Sequence, residues 1–404
     1  MAPGDEKRAE AARLTTAHRM NRLLAEAQER VLALVDDEGP TEPRISKVRA
    51  ARNCVFVLVG MCVVFWGLSA FQERVAPEAV YDEASMQRFK VRSVAERADE
   101  FDLFFVGTSR VYRTFDPVLF EELTGEAGSP VHAYNMGLRG MPLPEMRHTV
   151  EWLLSRHPRR LRYVVMELTG DLTRTFGRPL HLENAYTDRV VAWHDAEETR
   201  LLIAANLDSA ESLGFKVEAV ATHLAHFLRR FTSTGIGLPL ARVLLHLPEL
   251  EPESPWPETG QVTFEDEVAG DPVREAAAER WLEIFRANRG EYEALLAELR
   301  TAPRSGPLDP HLLSGIRDIA AKVRAAGAVP IFVVMPPHWA DGLEVLEAGG
   351  TDLGGPLLYY GNPERFPEFY DYDNLYNLRH LNGKGTELFT RRFAADFLRL
   401  EEGR

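Results

Sequence analysis

A serine becomes a nucleophile only when a base takes its proton, and histidine is the usual base. This chain places one serine and one histidine where that chemistry is at home. Ser109 stands in Gly107-Thr108-Ser109-Arg110, directly after the apolar run Glu100–Gly107. His380 stands in Asn377-Leu378-Arg379-His380-Leu381-Asn382-Gly383-Lys384-Gly385, ahead of a helical pattern. A third group must hold the imidazole tautomer. Asn377, three residues before His380, has a side-chain oxygen for that task. Between them lies Asn135-Met136-Gly137-Leu138-Arg139-Gly140. Glycines there let a backbone pass close to a ligand and aim amide N–H groups at it. The chemistry such a set could do is nucleophilic attack by an activated serine. Taken singly each motif has an ordinary reading, Gly-x-Ser as a turn and His380 as a capping residue, so their order along the chain carries the argument.

Three further features belong to the same inspection. Arg110 either pairs with a carboxylate of the fold or binds a substrate oxygen. Met335-Pro336-Pro337-His338-Trp339 follows another strand-like run. Its proline pair fixes a turn, and His338 and Trp339 are candidates to line an acceptor pocket. His223 and His226 stand three apart on a helical stretch, without carboxylates placed to complete a metal site. No metal and no cofactor is expected.

The elements that must position these residues alternate. Glu100–Gly107, Val131–Met136, Arg162–Leu168 and Val329–Met335 read as short buried strands. Helices are expected from Asp116 to about Thr124, Pro142 to Ser155, Pro310 to Ala326 and Lys384 to Leu400. Such alternation predicts an α/β fold, a parallel sheet with helices on both faces. Ligand sites in such sheets lie at the carboxyl ends of the strands. From about 172 to 306 the pattern breaks into an insertion, with helices expected near 195–206, 211–230 and 274–299 and an acidic, Pro-rich stretch at 248–258. It either covers the carboxyl edge of the sheet or decorates the surface.

Asn53–Phe71 is uncharged and long enough to cross a bilayer as a helix. Arg44–Arg52 carries four basic residues and no acid, while Glu73–Glu83 is mainly acidic. This asymmetry predicts a single-pass protein of the plasma (inner) membrane, with residues 1–52 cytoplasmic and 72–404 extracytoplasmic. The cytoplasmic part has a weakly amphipathic helical stretch at 6–35 and a linker. It reads as a solvated helix, or as a short coiled coil or docking helix. The formal charge of −14 arises entirely beyond the span, because residues 1–52 hold ten basic and nine acidic residues. An acidic exterior argues against nucleic acid as partner. Both cysteines, Cys54 and Cys62, lie within the span, so the C-terminal part must be held by its core rather than by disulfides.

The ordered set Gly-x-Ser-Arg, Asn-x-Gly-x-x-Gly and His-Leu-Asn-x-x-Gly resembles the SGNH (GDSL-like) hydrolase superfamily. More narrowly, it is similar to the membrane-anchored branch that includes alginate acetylation and teichoic-acid D-alanylation proteins. The likeness covers roughly 99–171 and 308–400. It implies a flavodoxin-like three-layer sandwich, Ser109 as nucleophile, His380 as base, and the Ser109 and Gly140 amides as oxyanion hole. Two positions depart from the pattern. Asp171 stands where the family has an oxyanion-donating Asn, and an ionised carboxylate cannot donate. Asn377 stands where the family has Asp, with Asp371 and Asp373 nearby as substitutes. The implied function is an extracytoplasmic serine esterase or O-acyltransferase on cell-surface glycan or acyl esters, with a multispan membrane acyltransferase as an expected partner. The competing expectation is a catalytically impaired binding or scaffold subunit of a polysaccharide acylation or export complex.

Overall fold

The computed structural model describes residues 47–75, 86–173, 188–233, 240–241, 244–245, 257–301, 307–337 and 343–404. The expected helix at 6–35 and its linker, residues 248–256 of the Pro-rich stretch, and the pair His338 and Trp339 lie outside the described residues. Contacts divide the chain into a unit Met1–Val63 and a unit Val64–Arg404.

The first helix, α1 (Lys47–Val75), contains the segment Lys47–Gln72, which is long and apolar enough to cross a membrane, with a mean hydropathy of 2.4 and a most apolar 18-residue stretch of which none is buried in the protein. Phe56 and Trp66 are 66% and 68% exposed. This is the reverse of a soluble core helix, and it is what a helix surrounded by lipid looks like.

After α2 (Met86–Arg97), five strands form one sheet: β1 (Leu103–Val106), β2 (Ala133–Asn135), β3 (Tyr163–Glu167), β4 (Val329–Val334) and β5 (Leu357–Tyr359). Their order is β2-β1-β3-β4-β5, and every pairing is parallel. Successive side chains on a strand point to opposite faces, and here both faces are buried. Phe104, Val106, Val164, Met166, Phe332 and Val334 join one core. Leu103, Phe105, Tyr163, Val165, Ile331 and Val333 join the other. That is why the strands read as continuous apolar runs.

Helices cover each face. On the first lie α5 (Leu143–Ser155) with Met146 and Val150, α7 (Ala196–Asp208) with Leu202, and α12 (Pro310–Ala325) with Ile316 and Ile319. On the second lie α3 (Ser109–Thr114) with Val111, α4 (Pro117–Glu126) with Phe120, and α14 (Gly383–Glu402) with Phe389, Phe393 and Phe397. The expected caps form: Asp116 Oδ1 accepts from the Val118 and Leu119 amides, and Pro117 takes the first helical turn.

The insertion holds α6 (Asp188–Ala192), α7, α8 (Leu213–Phe231), α9 (Phe264–Val268), α10 (Pro272–Ala287) and α11 (Arg289–Thr301). The single helix expected at 274–299 is two, divided at Asn288, whose φ of −101° and ψ of 27° leave the helical region. The chain then adds α13 (Glu344–Glu347) and an antiparallel pair, β6 (Leu375–Asn377) and β7 (His380–Leu381). This pair, α9 and β5 are too short for their periodicity to be read from the residues.

Candidate active site

Because all five strands run the same way, their carboxyl ends share one edge, and Ser109 follows β1 there. Ser109 does not sit on an isolated turn, as Gly-x-Ser suggested. It is the first residue of α3, with Thr108 as cap: the Thr108 hydroxyl accepts from the Arg110 amide at 3.2 Å.

The approach to Ser109 is built around Glu167, the last residue of β3, which is buried. Its Oε2 accepts from the Thr108 amide at 2.6 Å and its Oε1 accepts from Arg110 Nε at 2.8 Å. Arg110 Nη1 also donates to the Pro337 carbonyl at 3.4 Å. Of the two readings of Arg110, the pairing with a carboxylate of the fold is the one observed. A Cβ on Gly107 would stand 2.6 Å from Glu167 Cβ and 2.5 Å from Val111, so only glycine lets these elements close. Sequence reasoning passed over Glu167 because an acid ending a strand is unremarked until its partners are known.

The second block docks on the first. The Asn135 amide group donates to the Val111 and Phe115 carbonyls, both at 2.8 Å, and its Oδ1 accepts from the Gly137 amide at 2.9 Å. The Leu138 amide donates to the Gly107 carbonyl at 2.8 Å. Lys90 of α2, buried, donates to the Asn135 and Gly137 carbonyls at 2.8 and 2.7 Å. Burial holds its ammonium well below the ordinary lysine range. A Cβ on Gly137 would lie 2.3 Å from the Tyr112 amide nitrogen, so this glycine is required by close approach. Gly140 lies beyond it in an exposed turn, with φ of +58°.

His380 reaches this edge from the β6–β7 turn. Its Nε2 is 2.8 Å from Ser109 Oγ, and its Nδ1 is 3.0 Å from Asn377 Oδ1. The Arg379 amide donates to the same Asn377 oxygen at 2.8 Å. That bond identifies the atom as an acceptor, so Nδ1 carries the proton. Nε2 is then bare and faces the Ser109 hydroxyl, as a general base must. Asn377 thus closes an Asx turn and selects the tautomer with one atom. Asp371 and Asp373 do not replace it: Asp371 Oδ1 accepts from the Asp373 amide at 3.0 Å, and the Nδ1 position is held by Asn377. Asp171 is likewise committed elsewhere, accepting from the Leu143 amide at the start of α5 at 3.3 Å and from Thr169 Oγ1 at 3.0 Å.

The insertion reaches the site. The Asn135 backbone N–H donates to Thr259 O at 2.9 Å, and the Val262 backbone N–H donates to Tyr112 O at 3.4 Å. Phe264 then stacks on Tyr376 at 3.8 Å and meets the His380 ring edge-on at 5.2 Å. The Arg113 guanidinium lies 3.3 Å over the other side of this cluster, on the Phe264 ring. Glu267 of α9 pairs with both Arg113 and Arg139. Within the insertion it is residues 259–267 that lie at the carboxyl edge. A cleft of about 860 Å³ adjoins, with Phe285, Arg286, Tyr372, Tyr376 and Lys384 among its walls.

His380 is electrostatically unusual for a base. Burial first, and then Arg113, Arg110, Arg379 and Arg139, push its pKa down to about 3. The imidazole is therefore neutral and ready to accept a proton, but an imidazolium would form among cations, with an amide rather than a carboxylate on its Nδ1 side.

Away from this edge, Glu151, Glu197 and Asp318 converge as metal ligands might, but cations of the protein serve them. Lys322 Nζ is 2.6, 3.1 and 2.8 Å from the three, and Arg147 pairs with all of them as well as with Glu198. His223 has a partner the spacing did not reveal: its Nδ1 is 3.0 Å from His194 Nε2, while His194 Nδ1 donates to Val190 O at 2.7 Å.

No family model and no curated protein matches this chain.

Proposed function

We propose that this chain is a membrane-anchored serine esterase or O-acyltransferase with an SGNH-like, flavodoxin-like fold, acting on acyl esters of cell-surface glycans from the extracytoplasmic side. The observation that carries the reading is the continuous chain Ser109 Oγ, His380 Nε2, His380 Nδ1, Asn377 Oδ1, with links of 2.8 and 3.0 Å. The strand order β2-β1-β3-β4-β5 supports the flavodoxin-like assignment. The basic flank Arg44–Arg52 supports the orientation.

In this reading Ser109 Oγ attacks the acyl carbonyl while His380 Nε2 takes its proton. Asn377 holds the ring during the transfer. The Ser109 and Gly140 amides donate to the developing oxyanion. Collapse expels the first alcohol, which takes the proton from His380, and leaves the acyl group on Ser109. Water, or an acceptor hydroxyl, then repeats the sequence in reverse. Arg110 is occupied by Glu167 and serves to place Ser109 rather than to bind substrate.

One observation favours a second reading, a non-catalytic binding or scaffold subunit. His380 is ringed by arginines and backed by an amide, which disfavours the charged intermediate of the base. A fluorophosphonate probe on the full chain in detergent decides. Labelling that disappears in Ser109→Ala supports the enzyme. A folded protein that stays unlabelled across pH 5–9 supports the scaffold.

A further inference from the structure

α8 carries an apolar face that no described part of the protein covers. Leu213, Val217, Leu224 and Leu228 are 77%, 61%, 43% and 55% exposed. At 100° per residue these four and Phe231 fall within about 60° of the helix circumference. Ala221 and Ala225 widen the exposed surface. The opposite face is pinned inward. Ala219 and His223 are buried there, and His223 is bonded to His194 and lies 3.3 Å from Asn206 Nδ2. The outward aim of the leucines is therefore set by a polar anchor on the back of the helix.

What covers this stripe is indicated at its end. Within the unit Val64–Arg404, Phe231 meets Phe65 edge-on at 6.2 Å. Phe65 belongs to the apolar part of α1, about 9 Å along the helix axis from the end of the uncharged run at Phe71. The apolar stripe of α8 thus leads to the side of a helix made to stand in hydrocarbon. An interfacial helix buries its apolar face about 5–10 Å below the headgroups, which matches that depth.

We propose that α8 lies in the membrane interface as a second, in-plane anchor, with Leu213, Val217, Leu224 and Leu228 among the acyl chains of the leaflet beside residues 72–404. A lone spanning helix lets a domain swivel and rise. A second contact fixes its orientation over the bilayer, which suits a site that must meet a substrate delivered at the surface. The inference rests on α1 spanning the membrane.

The test uses the full chain in lipid nanodiscs with both native cysteines replaced, and nitroxide labels placed singly through Val59→Cys, Val217→Cys, Leu224→Cys and Arg391→Cys. Collision with oxygen, which concentrates in lipid, is compared with collision with a water-soluble nickel chelate. The expected result is oxygen-dominated relaxation at 59, 217 and 224, and nickel-dominated relaxation at 391. If 217 and 224 behave like 391 while 59 remains in lipid, the in-plane anchor is wrong and the spanning helix stands. Shielding of 217 and 224 from both reagents would mean that a protein surface covers the stripe, and would also overturn the inference. Nickel access at 59 would remove the spanning reading itself.

Discussion

Glu167 and Arg110 form an ion pair of 2.8 Å that straddles Ser109, because the same carboxylate also takes the Thr108 amide at 2.6 Å. The residue before the serine and the residue after it are tied to one buried group on the neighbouring strand. Breaking a buried pair by removing one partner costs about 3–5 kcal/mol, since the other charge is left stranded. Arg110 retains some exposure, so the lower end applies. Glu167→Ala is expected to lower stability by about 3 kcal/mol and to slow probe labelling of Ser109. Thermal unfolding in detergent and labelling kinetics check the two effects separately.

Asn377 supplies orientation without charge. Asn377→Asp keeps an acceptor oxygen in the same turn and adds the carboxylate that an imidazolium needs. In a serine protease the reverse change cost about 10⁴ in turnover, so labelling or ester hydrolysis should rise here by about 10-fold or more. Asn377→Ala should lower it, because the tautomer is then no longer selected. Equal rates for all three would show that Asn377 does not act through His380.

The pH dependence follows from the depressed His380. A base whose pKa is about 3 stays unprotonated from neutrality down to that value. The acid limb of the labelling rate should therefore lie far below the ordinary histidine value of about 6.5. A rate that halves near pH 6.5 would contradict the buried, arginine-ringed environment. The Asn377→Asp variant should move the limb upward, since an opposite charge favours imidazolium.

Phe264 supplies part of that burial from the insertion. Phe264→Ala opens the ring to water and leaves Arg113 and Glu267 in place. The His380 imidazole should then titrate closer to its ordinary value, followed by the carbon-bound ring protons in NMR. A purely supporting role for Phe264 would lower stability and leave that titration unmoved.

Arg147 is a structural counterpart. It is buried and serves Glu198, Glu151, Glu197 and Asp318. Glu198 is buried beside it, and burial raises its pKa to about 8 despite the guanidinium. Arg147→Met should cost about 3–5 kcal/mol, read as a lower melting temperature with the site geometry and probe labelling retained.

The residues alone carried the alternation of strands and helices, because a strand buried on both faces must be apolar throughout and a helix buried on one face must repeat near 3.6. They also carried the apolar helix α1, because its length and composition are enough to cross a bilayer. Ser109, His380 and Asn377 could be singled out because a nucleophile, a base and an orienter need those functional groups whatever the fold. What only the tertiary structure decided is which groups stand beside them. Glu167 lies 57 positions from Arg110, and Phe264 lies 116 positions before His380. The Arg113 and Arg139 that ring His380 are likewise brought in from other elements. Local periodicity reports how one element is buried, not which elements meet. The burial that lowers His380, the tautomer set by Asn377 Oδ1, and the outward aim of the α8 leucines all arise from contacts between segments far apart in the chain.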